Sequence, residues 1–204
     1  SAATGAVTQL AESLGGIDLL INSAGILREG RFEELPPASF REVMDINLFG
    51  TINVARAALP YLKANRGQLV NIASMAALTG VFGYTPYTAS KHALAGFTES
   101  LRYEMKPQGV TVQLICPPEF DSPMVGELNT YRTRENRAHT LMIPMEPMEV
   151  IVRDTVRAIA SGSYFTVTGF KARCAAFGMR HFPGISRRFA DRVIRKAQAA
   201  AKAG

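Results

Sequence analysis

The sequence has no tryptophan, only three histidines and only two cysteines, Cys116 and Cys174. Two cysteines cannot form the disulfide framework of a small secreted domain, and they lie far from any metal-ligand spacing. The histidines show no convergent spacing either, so we expect no metal site. No apolar run approaches the roughly 18 residues of a transmembrane helix, and we expect no signal peptide. These absences favour a reducing compartment and predict a cytoplasmic protein.

The chain does carry enough hydrophobic residues, 47% of 204, for one domain with a substantial core. Its net charge of +6 is unevenly distributed. Residues 170–204 contain nine Lys or Arg and one acid, whereas residues 1–169 contain 14 basic and 16 acidic residues. The excess positive charge therefore belongs to the C-terminal segment. Because neither part carries a nucleic-acid-binding signature, we expect no nucleic-acid partner.

Short apolar runs alternate with longer segments of helical periodicity. The runs predict strands at 17–22, 68–73, 110–116 and 164–168, and the periodic segments predict helices at 39–64, 87–106 and 147–160. Ser39 and Glu42 have capping-box spacing at the first of these helices. Residues 119–146 lack periodicity and predict a long loop or lid. This alternation is typical of an α/β fold with a parallel sheet and helices on both faces.

In such sheets ligands bind beyond the carboxyl ends of the strands. Residues 22–25, Ser74 and residues 116–118 all follow predicted strands. We therefore expect three strand ends to converge on one cleft.

Tyr87 and Lys91 lie four residues apart on a predicted helix and so share a face. A nearby ammonium lowers the pKa of a phenol, and a tuned tyrosine exchanges a proton with a carbonyl or alcohol oxygen. Ser74 is placed to hold the same oxygen. The alternative is a surface Tyr–Lys pair beside a serine that only belongs to a turn.

These residues together resemble the short-chain dehydrogenase/reductase family. Asn22-Ser23-Ala24-Gly25 is similar to the N-N-A-G turn of that family, with Ser23 in place of its second Asn. Asn47 matches its helix asparagine, and Ser74, Tyr87 and Lys91 match its Ser and Y-x-x-x-K, with Ser74 13 residues before Tyr87. The resemblance implies a Rossmann-type, doubly wound parallel sheet and an enzyme that uses NAD or NADP.

The resemblance also implies a catalytic set of four residues. Tyr87 would be the general acid in reduction and the general base in oxidation. Lys91 would depress the pKa of Tyr87 and bind the nicotinamide ribose, and Ser74 would position the substrate oxygen. Asn47 would hold a water that links Lys91 to solvent. The alternative for Asn47 is a buried helix asparagine bonded to backbone.

The family likewise implies the cofactor-binding residues. Ala24 and Gly25, after Asn22, would let the backbone approach the cofactor closely. After the third strand the usual Pro-Gly is replaced by Pro117-Pro118, and Ser122 stands where a Thr contacts the nicotinamide amide. The implied cofactor residues are Asn22, Ala24, Gly25, Tyr87, Lys91, Pro117 and Ser122.

The largest departure from the family is the lack of a T-G-x-x-x-G-x-G loop, whose backbone N–H groups bind the pyrophosphate. Only 21 residues precede Asn22, where the family has three strands. We therefore expect that the first three strands are missing and that residues 1–169 are a partial Rossmann-type domain of a longer protein. The strand at 17–22 would otherwise be an exposed apolar edge.

The run Pro117-Pro118-Glu119-Phe120-Asp121-Ser122-Pro123, together with Glu104–Pro107, resembles the 3-ketodihydrosphingosine reductase branch of the family. That branch implies NADP(H) in preference to NAD(H), and lipid metabolism. The expected reaction is hydride transfer between NADP(H) and a hydrophobic ketone or secondary alcohol. Its substrate is 3-ketodihydrosphingosine or another hydrophobic ketone.

Residues 170–204 predict a basic amphipathic helical tail with one helix at 170–182 and a second capped by Ser186. Such a helix suits peripheral contact with an anionic membrane; the alternative is packing on the body or on a partner. Small residues at 89, 93, 96 and 100 line the helix of Tyr87, and the family implies a homodimer or homotetramer there. The rival function is a non-catalytic remnant that serves as a dimerisation or membrane-tethering module.

Overall fold

The computed structural model describes residues 2–202, and the side chains of residues 4–200. Four strands alternate with helices along this part of the chain. The order is α1 (Ala2–Leu14), β1 (Leu19–Asn22), α2 (Pro37–Met44), a π-helical segment (Asp45–Gly50), α3 (Thr51–Asn65), β2 (Gln68–Ile72), α4 (Thr85–Met105), β3 (Thr111–Cys116), α5 (Pro123–Leu128), α6 (Arg134–Thr140), α7 (Met148–Ser161), β4 (Phe165–Val167), α8 (Phe170–His181) and α9 (Pro183–Lys202). Short 3₁₀ turns lie at Met75–Ala77 and Lys106–Gln108.

The strands form one parallel sheet in the order β1-β2-β3-β4. This confirms the α/β fold with a parallel sheet. β1 lies at the edge of the described sheet, and its Leu19 and Ile21 are 43% and 46% exposed. The apolar edge expected for this strand is therefore present in the described residues.

Helices cover the two faces of the sheet through alternate strand residues. Leu69 of β2 is fully buried against residues of α3 and α4, such as Leu62 and Leu101. Its neighbour Val70 points to the opposite face and packs against Ala158 of α7. Since successive side chains of a strand point to opposite faces, this alternation gives the three-layer arrangement of a doubly wound fold.

The predicted helix at 39–64 is interrupted by a π-helical segment that contains Asn47. The prediction that Ser39 and Glu42 form a capping box is wrong. Pro36 precedes the first turn, no side chain caps it, and Pro37 begins the helix with the φ that a first turn needs. Glu42 instead pairs with Arg28 at 2.9 Å.

Residues 119–146 are not a structureless lid, which corrects the prediction of a long loop. They contain α5 and α6, of six and seven residues. Each begins with a side-chain cap: Ser122 Oγ accepts from Val125 N, and Thr133 Oγ1 accepts from Asn136 N. Helices this short complete fewer than two turns, so their sequences contain too few residues to show a helical period.

The C-terminal segment forms α8 and α9, and it packs on the rest of the chain. Ala172 of α8 is fully buried in the core cluster around Leu94 and Cys116, and α9 packs against α6. Ser186 lies inside α9 and not at its cap, because Pro183 begins that helix. The domain boundary between residues 169 and 170 stays a prediction.

Candidate active site

The carboxyl ends of β1, β2 and β3 converge on one cavity of about 290 Å³. Gly25 follows β1, Ser74 follows β2 and Pro117 follows β3, and all three line this cavity together with Tyr87 and Lys91 of α4. The three strand ends therefore meet at one cavity, as expected from the sequence.

Tyr87 reaches the cavity from the first turns of α4, a helix with a proline at its start. The ring is buried, with 8% exposed, and stacks edge-on against Tyr84 with the ring centroids 5.6 Å apart. Its hydroxyl forms a hydrogen bond with the side chain of Ser74. Ser74 itself is fixed, because its Oγ also accepts from Ala76 N at 3.1 Å.

Burial raises the pKa of Tyr87 to about 12, and the hydrogen bond with Ser74 offsets only part of that effect. The lower pKa expected for Tyr87 is therefore wrong for this structure, because desolvation by burial is the largest effect and raises the pKa. At neutral pH the phenol is protonated. That is the form that donates a proton to a carbonyl oxygen.

Lys91 lies one helical turn beyond Tyr87 and is 4% exposed. Its Nζ is 5.5 Å from the centroid of the Tyr87 ring and donates to the Ile72 carbonyl at 3.2 Å. Burial lowers the pKa of this lysine to about 8. A Cβ at position 25 would stand 3.6 Å from this Nζ and 3.2 Å from Asn47 Oδ1, so Gly25 leaves the space above the lysine open.

Asn47 is fully buried, and its side chain is engaged with the backbone of Ile26. Ile26 N donates to Asn47 Oδ1 at 2.8 Å, while Asn47 Nδ2 donates to Ile26 O at 2.9 Å and to Ser90 Oγ at 3.0 Å. This geometry matches the alternative of a backbone-bonded helix asparagine. It fixes the turn after β1 against the π-helical segment.

The structure brings some of the predicted cofactor residues to the cavity and not others. Gly25, Pro117 and Ser122 line it, whereas Asn22 and Ala24 do not. Asn22 Nδ2 instead donates to Asn71 Oδ1 on the neighbouring strand at 2.9 Å. The Asn22 side chain therefore joins β1 to β2.

Several cavity residues were not assigned to the site from the sequence. Glu119, just after β3, lines the cavity and forms a salt bridge with Arg132 at 2.9 Å, and Met179 reaches the same cavity from α8. Tyr84 and His139 also line it. These residues are brought together by tertiary packing, and no fixed spacing marks them.

The segment that carries α6 is fastened to the loop before α4 through both backbone groups of Phe82. Asn136 Nδ2 donates to Phe82 O at 2.7 Å, and Phe82 N donates to His139 Nδ1 at 3.0 Å. A second attachment joins Thr133 Oγ1 to Glu29 Oε1 at 2.6 Å. The cavity is therefore covered by a helix held in a defined position.

Within residues 2–202, no cluster of three or more His, Cys, Asp or Glu is arranged to hold a metal ion. No helix in the same range is long and apolar enough to cross a membrane.

A parallel α/β sheet with a Ser–Tyr–Lys set at its carboxyl edge defines the class of Rossmann-type oxidoreductase folds. The model of the short chain dehydrogenase family matches residues 1–133. The chain belongs to that family, and the resemblance in the sequence is confirmed.

Curated relatives include the 3-ketodihydrosphingosine reductase of Mus musculus, which is 37% identical over 156 residues, 74% of this chain and 47% of that protein. Nodulation protein G of Rhizobium sp. (strain N33) is 33% identical over 168 residues, 80% of this chain and 67% of that protein. The chain thus spans about half the length of the 3-ketodihydrosphingosine reductases that it matches.

Among solved structures, a short-chain dehydrogenase from Burkholderia cenocepacia J2315 in complex with NADP superposes with a TM-score of 0.76 at 28% identity. The match covers 93% of this chain and 76% of that one. It confirms the Rossmann-type fold class.

Proposed function

We propose that the protein is an NADP(H)-dependent oxidoreductase that interconverts a hydrophobic ketone and a secondary alcohol. The observation that carries this proposal is the placement of Ser74, Tyr87 and Lys91 together on one cavity at the carboxyl edge of the sheet. Three strand ends and one helix must cooperate to produce it. A surface Tyr–Lys pair would have none of this burial.

Three residues of the cavity fit the nicotinamide half of such a cofactor. Gly25 leaves open a space that any Cβ would narrow against Lys91 and Asn47. Lys91 has three donors, and its hydrogen bond within the described residues goes to Ile72 O, so the others are free for a ribose hydroxyl. Ser122 lines the same cavity and would meet the amide. The preference for NADP(H) is supported by the solved neighbour, which holds NADP.

The protein's own residues then supply orientation and proton transfer, and the bound nicotinamide supplies or accepts the hydride. In reduction, Ser74 holds the carbonyl oxygen by a hydrogen bond and Tyr87 gives it a proton. Because the pKa of Tyr87 is about 12, its phenol is fully protonated at neutral pH and can donate that proton. In the reverse direction Tyr87 must act as phenolate, so oxidation of the alcohol should accelerate as the pH rises. Asn47 acts by holding the turn that presents Gly25.

We further propose 3-ketodihydrosphingosine or a related long-chain ketone as the substrate. Apolar side chains from four segments line the cavity, among them Leu27, Val81, Ile143 and Met179. The relatives named 3-ketodihydrosphingosine reductase support the same substrate class.

We propose two kinds of partner, a membrane and a second copy of the chain, from exposed surfaces of the helices. The outer face of α8 exposes Phe170 and Phe177, and that of α9 exposes Ile185 and Phe189 among basic residues. Aromatic groups beside cationic ones suit peripheral contact with an anionic membrane. A groove between α3 and α4, lined by Leu59 and others, suits pairing of two chains into a homodimer or homotetramer.

The test is calorimetric titration with NADPH, followed by turnover of the Tyr87→Phe variant. The expected result is that wild type binds NADPH, and that the variant binds it with similar affinity but reduces ketone at least a thousandfold more slowly. Phe keeps the ring contact with Tyr84 and removes only the hydroxyl. Wild-type turnover in the variant would remove Tyr87 from the mechanism, and absence of NADPH binding would favour the non-catalytic module.

A further inference from the structure

The cavity wall is apolar over most of its area, with four methionines, Met75, Met124, Met142 and Met179. Against this background one charged group stands out. Among the described cavity residues, Glu119 is the single carboxylate. Its side chain is 11% exposed. A carboxylate on a largely apolar wall needs a partner, because an isolated buried charge is very costly.

The partner of Glu119 is Arg132, whose side chain is 3% exposed. The guanidinium donates a hydrogen bond to each carboxylate oxygen, from Nη1 to Oε1 at 2.9 Å and from Nη2 to Oε2 at 3.2 Å. Its remaining donors go to Asn129, Asn136 and Thr140. Arg132 does not line the cavity, whereas Glu119 does. The carboxylate therefore stands between the arginine and the cavity, with spare lone pairs available on its oxygens.

Glu119 also lies near the reacting centre. Its charge helps to raise the pKa of Tyr84, after the larger effect of burial. The ring of Tyr84 is in edge contact with the ring of Tyr87. Glu119 and Tyr87 are therefore both neighbours of Tyr84 on the wall of the same cavity.

We propose that Glu119, held in place by Arg132, is a specificity-determining residue that recognises an ammonium group next to the reacting carbon. This deepens the proposed function and rests on it, since an amino ketone is the substrate class that joins an ammonium to a reducible carbonyl. The apolar wall accommodates the hydrocarbon chain, and Glu119 discriminates in favour of the cationic head.

The basic groups that line the cavity with Glu119 are His139 and Lys91. Burial lowers the pKa of His139, and the charge of Asp191 on α9 counteracts this only in part. Its Nδ1 accepts a hydrogen bond from Phe82 N, so the ring is neutral with its proton on Nε2. Lys91 donates to the carbonyl of Ile72, the last residue of β2, at 3.2 Å.

The experiment compares two ligands that differ only in the ammonium, 1-amino-2-decanol and 2-decanol. Binding of each to the intact protein is measured by calorimetry in the presence of NADP⁺, and oxidation of each is followed as NADPH absorbance. Wild type should bind the amino alcohol about ten- to a hundredfold more tightly, the range of a hydrogen bond between charged groups. Glu119→Gln, which keeps the shape and removes the charge, should bind both alcohols equally.

The control is Arg132→Gln, which breaks the same salt bridge but keeps the carboxylate on the cavity. This variant should bind both alcohols more weakly by a similar factor and should keep the preference for the amino alcohol. Equal binding of the two alcohols by wild type overturns the inference, and so does a preference that survives in Glu119→Gln. If neither alcohol is oxidised, the proposed function fails, while the binding comparison still decides the role of Glu119.

Discussion

Replacing Lys91 by methionine should stabilise the fold at neutral pH. The ammonium of Lys91 is 4% exposed and hydrogen-bonds the Ile72 carbonyl. Burial lowers its pKa from 10.5 to about 8. Each pKa unit corresponds to about 1.4 kcal/mol, so holding the charged form in the fold costs about 3 kcal/mol at pH 7.

The pH dependence of this cost has a definite sign. Between about pH 8 and pH 10.5 the unfolded chain binds a proton at Lys91 that the folded chain has lost, so the stability of wild type rises with pH in that window. The cost is about 3 kcal/mol at pH 7 and falls below about 1 kcal/mol at pH 10.5. Methionine also loses the hydrogen bond to Ile72 O, worth about 1 kcal/mol at either pH. The net change for Lys91→Met is thus a gain of about 2 kcal/mol at pH 7.

Urea unfolding of the two proteins, followed by far-ultraviolet circular dichroism, measures this difference at each pH. The advantage of the variant should decline by about 3 kcal/mol from pH 7 to pH 10.5. Burial also raises the pKa of Tyr87, so its ionisation lowers the free energy of unfolding of both proteins above pH 10. To first order this contribution is equal in the two proteins and cancels from their difference. Lys171→Met, at an exposed site on α8, is the matched control and should show no such decline. A difference that stays constant with pH would refute the reasoning.

Two further predictions concern the helix over the cavity and the C-terminal surface. Asn136→Ala removes the 2.7 Å hydrogen bond to Phe82 O from a fully buried site. The free energy of unfolding, measured by urea denaturation, should therefore fall by about 2 kcal/mol. An unchanged urea midpoint would contradict the role of Asn136 in fixing α6 to the loop before α4. Vesicles of phosphatidylglycerol and phosphatidylcholine should carry the wild-type chain upward in a flotation gradient, and the double variant Phe177→Ser, Phe189→Ser should float less. Equal flotation of the two proteins would exclude those rings as membrane contacts.

The strands were the most predictable part of the fold. The apolar runs predicted strands at 68–73 and 110–116, and the structure has β2 at Gln68–Ile72 and β3 at Thr111–Cys116. Strands buried on both faces leave a continuous apolar run, and this signal is local. The convergence of Ser74 and Pro117 follows from that topology alone, because the carboxyl ends of parallel strands share one edge.

The features that escaped prediction depend on tertiary packing. Arg132 lies in the stretch 119–146 that was predicted as a long loop or lid, yet its side chain is nearly fully buried against Glu119, 13 residues earlier. The direction of the pKa shift at Tyr87 was wrong for a similar reason. Spacing on a helix shows that Lys91 is near, but only the packed structure shows that the phenol has been removed from water.

Burial alone does not separate a functional polar residue of this site from a structural one, but hydrogen-bond satisfaction does. Asn47 is fully buried and both ends of its amide are bonded to protein, so its contribution to the fold is enough to explain its burial. Lys91 is almost as buried, yet it brings a charge that lowers stability and has three donors for one described acceptor. A leucine or methionine would fill that volume at lower free energy. On balance the ammonium therefore lowers the stability of the fold, as the proposed role of Lys91 in binding a group inside the cavity predicts.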